Sequence, residues 1–166
     1  MHTGKTERIS VNPVVAAFIK NECSQFLWVP KGRYFTLITG HMELKDITLE
    51  RTVKREVEKE SGVPEKQLTI IESLGVFTRI IGIGMNNKMI QIFYCKAPKK
   101  EVRFFNEPDG KGFYWKTIPK AKESFNLDDL ANTAIEYFLK KYPLKNRGGT
   151  NEASGYFGCR VAIVRT

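Results

Sequence analysis

The sequence predicts an α/β fold, and three observations carry that prediction. Segments rich in β-branched and aromatic residues alternate with two stretches of helical spacing. Each helical stretch has a cap or stop residue of its own, Gly62 for the first and Asn126 with Pro143 for the second. Breakers such as Pro30-Lys31-Gly32 fall between the segments. A chain of 166 residues is the size of one ordinary domain. The expected organisation is therefore a single domain over residues 1–145 followed by a C-terminal tail over 146–166.

Taken in order, Val11 to Lys20 (VNPVVAAFIK) and Gln25 to Val29 (QFLWV) read as strands, and the polar NECS between them suits a hairpin turn. After the breaker, Arg33 to Thr39 (RYFTLIT) resumes strand character and stops at Gly40. Ile47 to Ser61 is the first helix, ended by Gly62. Leu68 to Gly84 is β-rich throughout, and Met89 to Ala97 (MIQIFYCKA) is a strand. A hairpin across Asn86 and Asn87 would join them, because asparagine tolerates the positive φ of tight turns. The loop from Phe105 to Gly112 leads to a short strand, FYWKTI. Leu127, Leu130, Ala134, Phe138 and Leu139 then recur at helical spacing behind Asn126. Beyond Lys145 a glycine-rich linker precedes YFGCRVAIVRT, which reads as an added strand.

Composition narrows the function classes. With 42% hydrophobic and 27% charged residues the chain is that of a globular protein, which excludes wholesale disorder. No run approaches the length of a membrane span, and MHTGKTERIS lacks the apolar stretch of a signal peptide, so no membrane partner and a cytoplasmic location are expected. Cys23, Cys95 and Cys159 are odd in number and far apart, the pattern of reduced structural thiols. The net charge of +9 suits a phosphorylated partner, although solvated lysine clusters explain much of it.

The chemistry concentrates in Lys54 to Val63, KREVEKESGV. On a helix turning about 100° per residue, Leu49, Val53 and Val57 share one stripe, and Arg51, Lys54, Glu58 and Ser61 lie opposite. Glu56 and Glu60 stack one turn apart on one side, with Glu60 inside the angular range of the apolar stripe. A carboxylate turned toward apolar surface loses hydration on the order of several kcal/mol unless a cation meets it. A structural ion pair with Arg55, Lys59 or a distant base would satisfy that requirement, and so would a divalent metal.

At these residues the sequence resembles the Nudix hydrolases, whose signature is GX5EX7REUXEEXGU with U a bulky aliphatic residue. Arg55-Glu56-Val57-Glu58-Lys59-Glu60-Ser61-Gly62-Val63 matches the second half of it at every specified position except Lys59, where the family has glutamate. Gly40-His41-Met42-Glu43 matches the start, and Asp46 stands in the place of the first glutamate. The spacing from Gly40 to Arg55 is one residue longer than the family's, which places an insertion near Asp46 to Leu49. The resemblance covers roughly Val11 to Tyr142.

What the resemblance implies is a Nudix-type α/β/α sandwich with a mixed β-sheet, acting on the phosphoanhydride of a nucleoside-diphosphate-linked substrate. Glu56, Glu60 and the Gly40 carbonyl would hold Mg²⁺ or Mn²⁺, whose hard character suits oxygen ligands. Arg55 would orient a glutamate through a bidentate pair. Glu43, Lys59, Glu107 and Asp109 are further candidates around the substrate, and a lone His41 reads as a hydrogen-bonded structural residue. Phe26, Trp28, Tyr34 and Trp115 are the rings available to stack a base, most of them expected in the core. The partner would be a small nucleotide, with a triphosphorylated RNA end as a variant and exposed strand edges compatible with a homodimer. Lys59 supports a rival reading, a catalytically silent Nudix-fold module that binds nucleotide or nucleic acid.

Overall fold

The alternation within VNPVVAAFIK decides where this segment sits. In the computed structural model, which describes residues 11–82, 85–98 and 112–143, it forms strand β1 (Val11–Lys20). Val14, Ala16 and Phe18 point into one core, and Val15, Ala17 and Ile19 into another. A strand with apolar residues on both faces must be covered on both, which makes β1 the interior element.

In chain order β2 (Phe26–Lys31), β3 (Tyr34–Thr36), β4 (Ile38–His41), α1 (Leu49–Ser61), β5 (Thr69–Arg79), β6 (Asn87–Lys96), β7 (Tyr114–Lys116), α2 (Ile118–Ser124) and α3 (Asp129–Lys141) follow. The sheet runs β3-β2-β1-β6-β5, with β4 also on β1 and β7 also on β2. β1 and β6 are parallel in unbroken register from Val11↔Asn87 to Lys20↔Lys96, and the other pairs are antiparallel. The sheet is therefore mixed, as expected.

α1 covers one face, setting Val53 and Val57 against Val15, Ala17, Ile38 and Phe93. α2 and α3 cover the other with Ile118, Ala121, Leu130, Ala134, Ile135 and Phe138. That gives the α/β/α sandwich. Phe18 and Phe26 stack at 4.4 Å, and Phe138 meets both edge-on at 5.5 and 5.2 Å. The Trp28 indole N–H donates to the Lys116 carbonyl at 3.1 Å, which ties β2 to β7. Phe26 and Trp28 are thus core residues, leaving Tyr34 as an exposed ring.

Several local expectations need correction. The single strand expected over Arg33 to Thr39 is two, because the chain changes partner at buried Leu37: β3 pairs with β2 and β4 with β1. Asn87 is no turn residue. It is buried at the start of β6, where its side-chain oxygen accepts from the Ile81 and Gly82 amides at 2.7 and 3.2 Å. Asp128, not Asn126, caps α3, accepting from the Ala131 amide at 2.8 Å. α2 was not anticipated, since seven residues are too few to display a helical period. Glu107, Asp109 and the strand expected within 146–166 lie outside the described residues.

Candidate active site

α1 begins at Thr48, whose hydroxyl accepts from the Arg51 amide at 3.2 Å. It ends at Gly62, where φ of 70° turns the chain and the amide returns to the Glu58 carbonyl at 2.9 Å. These two caps fix which side chains face the sheet. Val53 and Val57 do, and Glu56 goes with them: it is only 5% exposed. Glu60, one turn on, is half-buried. Ser61, expected on the wet side, is buried instead. At the helix end its hydroxyl donates to the Val57 carbonyl at 2.6 Å and accepts from the Val63 amide at 3.3 Å, which satisfies it away from water.

Glu56 reaches its place by crossing Gly40 on β4. A β-carbon built on Gly40 would stand 2.0 Å from Cγ and 2.4 Å from Cδ of Glu56. Glycine at this position is thus what admits the glutamate. The β4 register sets Gly40 opposite Val15 and His41 opposite Val14, so these neighbours serve opposite faces of the sheet.

The segment joining β4 to α1 holds the residues that orient Glu56. Leu44–Asp46 forms a 3-10 turn, and the Thr48 amide then bonds the Asp46 carbonyl at 2.7 Å across Ile47. Ile47 is the centre of this γ-turn, with φ 65° and ψ −41°, and is 83% exposed. This turn lies within the Asp46 to Leu49 interval in which the insertion was expected. By this turn the buried Asp46 carboxylate is brought under α1. It accepts from the Glu43 amide at 2.9 Å and from the Thr52 hydroxyl at 3.1 Å.

Arg55 joins the pieces. Its bidentate partner is Asp46, at 2.8 and 2.7 Å, and not a glutamate as expected. The same guanidinium donates to the His41 carbonyl at 3.0 Å, lies 3.2 Å from Glu43 and donates to Oε1 of Glu56. The bond to Asp46, seconded by Glu56, raises the Arg55 pKa, so the cation is permanent. In return Arg55 holds the Asp46 carboxyl well below the usual carboxylate range, against burial that acts the other way. The Glu43 carboxyl is lowered too, first by its bond from Lys45, at 2.9 Å.

Lys59 meets the other oxygen of Glu56, its Nζ 3.4 Å from Oε2, although its side chain is 67% exposed. Both cations foreseen as structural partners of Glu56 therefore contact it. Among the described residues no three acid, histidine or cysteine side chains gather as a metal cluster. The donors that the family resemblance implies, the Glu56 and Glu60 carboxylates of α1 and the Gly40 carbonyl, are all hard oxygens. That set suits Mg²⁺, which is bound through one or two carboxylates with substrate phosphate and water completing the shell.

On the face of the sheet opposite α1 a cleft of about 590 Å³ opens beside His41. Val14 and Ile90 form its floor, Tyr34 and Phe77 supply rings, and Lys31, Arg79 and Lys88 supply positive charge. Asp128 and Asp129 stand at the α3 end. None of these except Tyr34 was singled out from sequence. They come from six elements, β1, β2, β3, β5, β6 and α3, and the register Val14↔Ile90↔Phe77 sets the middle strands' residues side by side. His41 bridges the two regions: its carbonyl accepts from Arg55, and the residue itself lines the cleft. A second cavity, of about 580 Å³, lies between Lys20, Lys96 and Gln67 at the far end of the sheet.

Comparison with known proteins gives one family and many similar folds. Residues 11–140 match the NUDIX domain. No curated protein matches the chain. Among solved structures, the chain is similar to a NUDIX hydrolase from Nitrosomonas europaea, with 18% identity over 80% of this chain and 90% of that one and a TM-score of 0.59. It is similar to the E. coli dihydroneopterin triphosphate pyrophosphohydrolase at 17% identity, covering 81% and 99%, with a TM-score of 0.63. The NUDIX domain of Shewanella oneidensis NrtR, complexed with ADP ribose, aligns at 14% identity over 81% and 90%, with a TM-score of 0.62.

Proposed function

The chain belongs to the NUDIX domain family, and from that premise we propose that it is a metal-dependent hydrolase of a phosphoanhydride bond in a nucleoside-diphosphate-linked substrate. The observation that carries the proposal is Glu56, a buried carboxylate threaded past Gly40 and aimed by Arg55. Helix packing alone gives no reason to bury an acid at such cost. Glu56, Glu60 and the Gly40 carbonyl would hold Mg²⁺ or Mn²⁺. When bound, such an ion supplies charge neutralisation for the diphosphate and a water acidic enough to attack phosphorus.

The chain's own residues supply the positioning. Arg55 fixes the Glu56 rotamer, and Asp46 fixes Arg55. Lys31, Arg79 and Lys88 add positive charge on the far face of the sheet, where Tyr34 or Phe77 offers a ring to the base, and His41 lies between that cleft and Arg55. The similar dihydroneopterin triphosphate pyrophosphohydrolase and the similar NUDIX domain complexed with ADP ribose accord with a nucleotide-like ligand. Among the described residues no helix is long and apolar enough to cross a membrane, and we place the protein in the cytoplasm as one domain over residues 1–145. A homodimer through the exposed edge of β5 is compatible with this architecture.

The test is Mg²⁺-dependent hydrolysis across nucleoside triphosphates, sugar nucleotides, dinucleotides and triphosphorylated RNA, with Glu60→Gln and Glu56→Gln as controls. Activity untouched by both substitutions would refute the assignment. The second reading, a silent nucleotide- or nucleic-acid-binding module, is favoured by the Lys59 contact on Glu56. An inert wild type that becomes a hydrolase on Lys59→Glu would establish it.

A further inference from the structure

We propose that Lys59 stands in for a second divalent ion, so that the site takes one ion where a glutamate at this position would let it take two. The inference rests on the metal-dependent reading above. Three features of the geometry support it.

The first is position. The Lys59 ammonium lies 3.4 Å from Oε2 of Glu56, the oxygen that Arg55 leaves uncovered. A cation beside a metal-ligating carboxylate does locally what a further ion would do, and at close range it repels one. The second is charge. In the linked cluster three carboxylates (Glu43, Asp46, Glu56) meet three bases (Lys45, Arg55, Lys59), a neutral set. One divalent ion would give it two positive charges facing the substrate's phosphates. With glutamate at 59 the same groups would carry two negative charges, and two ions would be needed to reach the same point.

The third is mobility of the contact. The Lys59 side chain is 67% exposed and meets Glu56 at a long distance, so the pair is weakly held. An ion taking Oε2 displaces the ammonium, and the flexible four-carbon stem carries it toward the phosphate. Lys59 is then a substrate-contacting cation, built into the helix and independent of metal supply.

Mn²⁺ alone is the probe, titrated into the full chain by calorimetry and counted by electron paramagnetic resonance. The wild type should bind one ion, Lys59→Gln one ion, and Lys59→Glu two, with the first bound at least about tenfold more tightly because two charge units change beside it. Thermal melts should show all three chains folded, as expected at an exposed position. Two ions on the wild type, or one on Lys59→Glu, would overturn the inference and leave the metal-dependent reading standing. No ion on any of the three would overturn that reading itself. Ions on Lys59→Glu alone would overturn the one-ion site and favour the silent module.

Discussion

Gly40→Ala puts a methyl group where Glu56 already stands. The added carbon would lie 2.0 Å from Cγ, 2.4 Å from Cδ and 3.0 Å from Cβ of Glu56. Carbon atoms meet at roughly 3.5 Å, so Cγ falls short by about 1.5 Å. A new rotamer moves Cγ and Cδ but leaves the tight Cβ, so strand and helix must part slightly as well. Overpacking of this kind costs about 1–3 kcal/mol, read as a melting-point loss of about 2–4 °C per kcal/mol for a chain this long. Displacing Glu56 by about 1 Å should also lower hydrolysis by about 100-fold. The decisive assay is a double-mutant cycle by urea denaturation. In a Glu56→Ala background Cγ and Cδ are gone, and Gly40→Ala should become nearly neutral, giving a coupling of about 1–2 kcal/mol. Additivity to within about 0.5 kcal/mol would refute the claim that glycine is required by the glutamate.

Three more outcomes follow from the same geometry. Ile47→Gly should raise stability by about 1 kcal/mol, because a β-branched residue at φ 65° stores strain of about 1–3 kcal/mol and its exposed side chain buries little; a lower urea midpoint would refute this. Asp46, whose carboxyl is lowered chiefly by Arg55, contributes stability that is full above the ordinary carboxylate pKa of about 4 and is lost as pH falls through its native value. Denaturation between about pH 2 and pH 5 should therefore flatten in Asp46→Asn, and an unchanged slope would show that the ion pair carries no linkage. The Cys95 thiol, pushed up to about 12 by burial, should resist alkylation at pH 8 until the protein unfolds, whereas half-buried Cys23 reacts earlier. Peptide mapping after partial labelling distinguishes the two.

Local signals in the sequence were enough to place α1 and its two glutamates. Gly62 marks the stop and Val53 and Val57 mark the stripe, and both depend on neighbours within one or two turns. Ser61 defied the same reasoning because at a helix end the returning chain, not the helical angle, decides exposure. The bidentate partner of Arg55, though not its contact with a glutamate, was misread for a related reason. Asp46 arrives beneath the helix only through a γ-turn at a β-branched residue, a conformation that propensity argues against. The cleft was least visible of all. Lys31, Phe77, Lys88 and Asp128 are scattered along the chain, and no period links them; pairing register creates their proximity.

The parallel run of β1 against β6, together with the antiparallel pairing of β4 on β1, has an evolutionary reading. On one edge β1 pairs with the strand whose Gly40 admits Glu56, and on the other with Ile90 of the cleft floor. A slip of a single residue would move Gly40 by about 3.3 Å and turn every side chain of β1 to the wrong layer, so chemistry and recognition cannot drift relative to each other along this strand. Novelty has to come from the ends. Substitutions at Tyr34, Arg79 or Asp128 can recast what the cleft accepts while the helix that would do the chemistry stays in place. A lineage built this way can change its diet without changing its teeth.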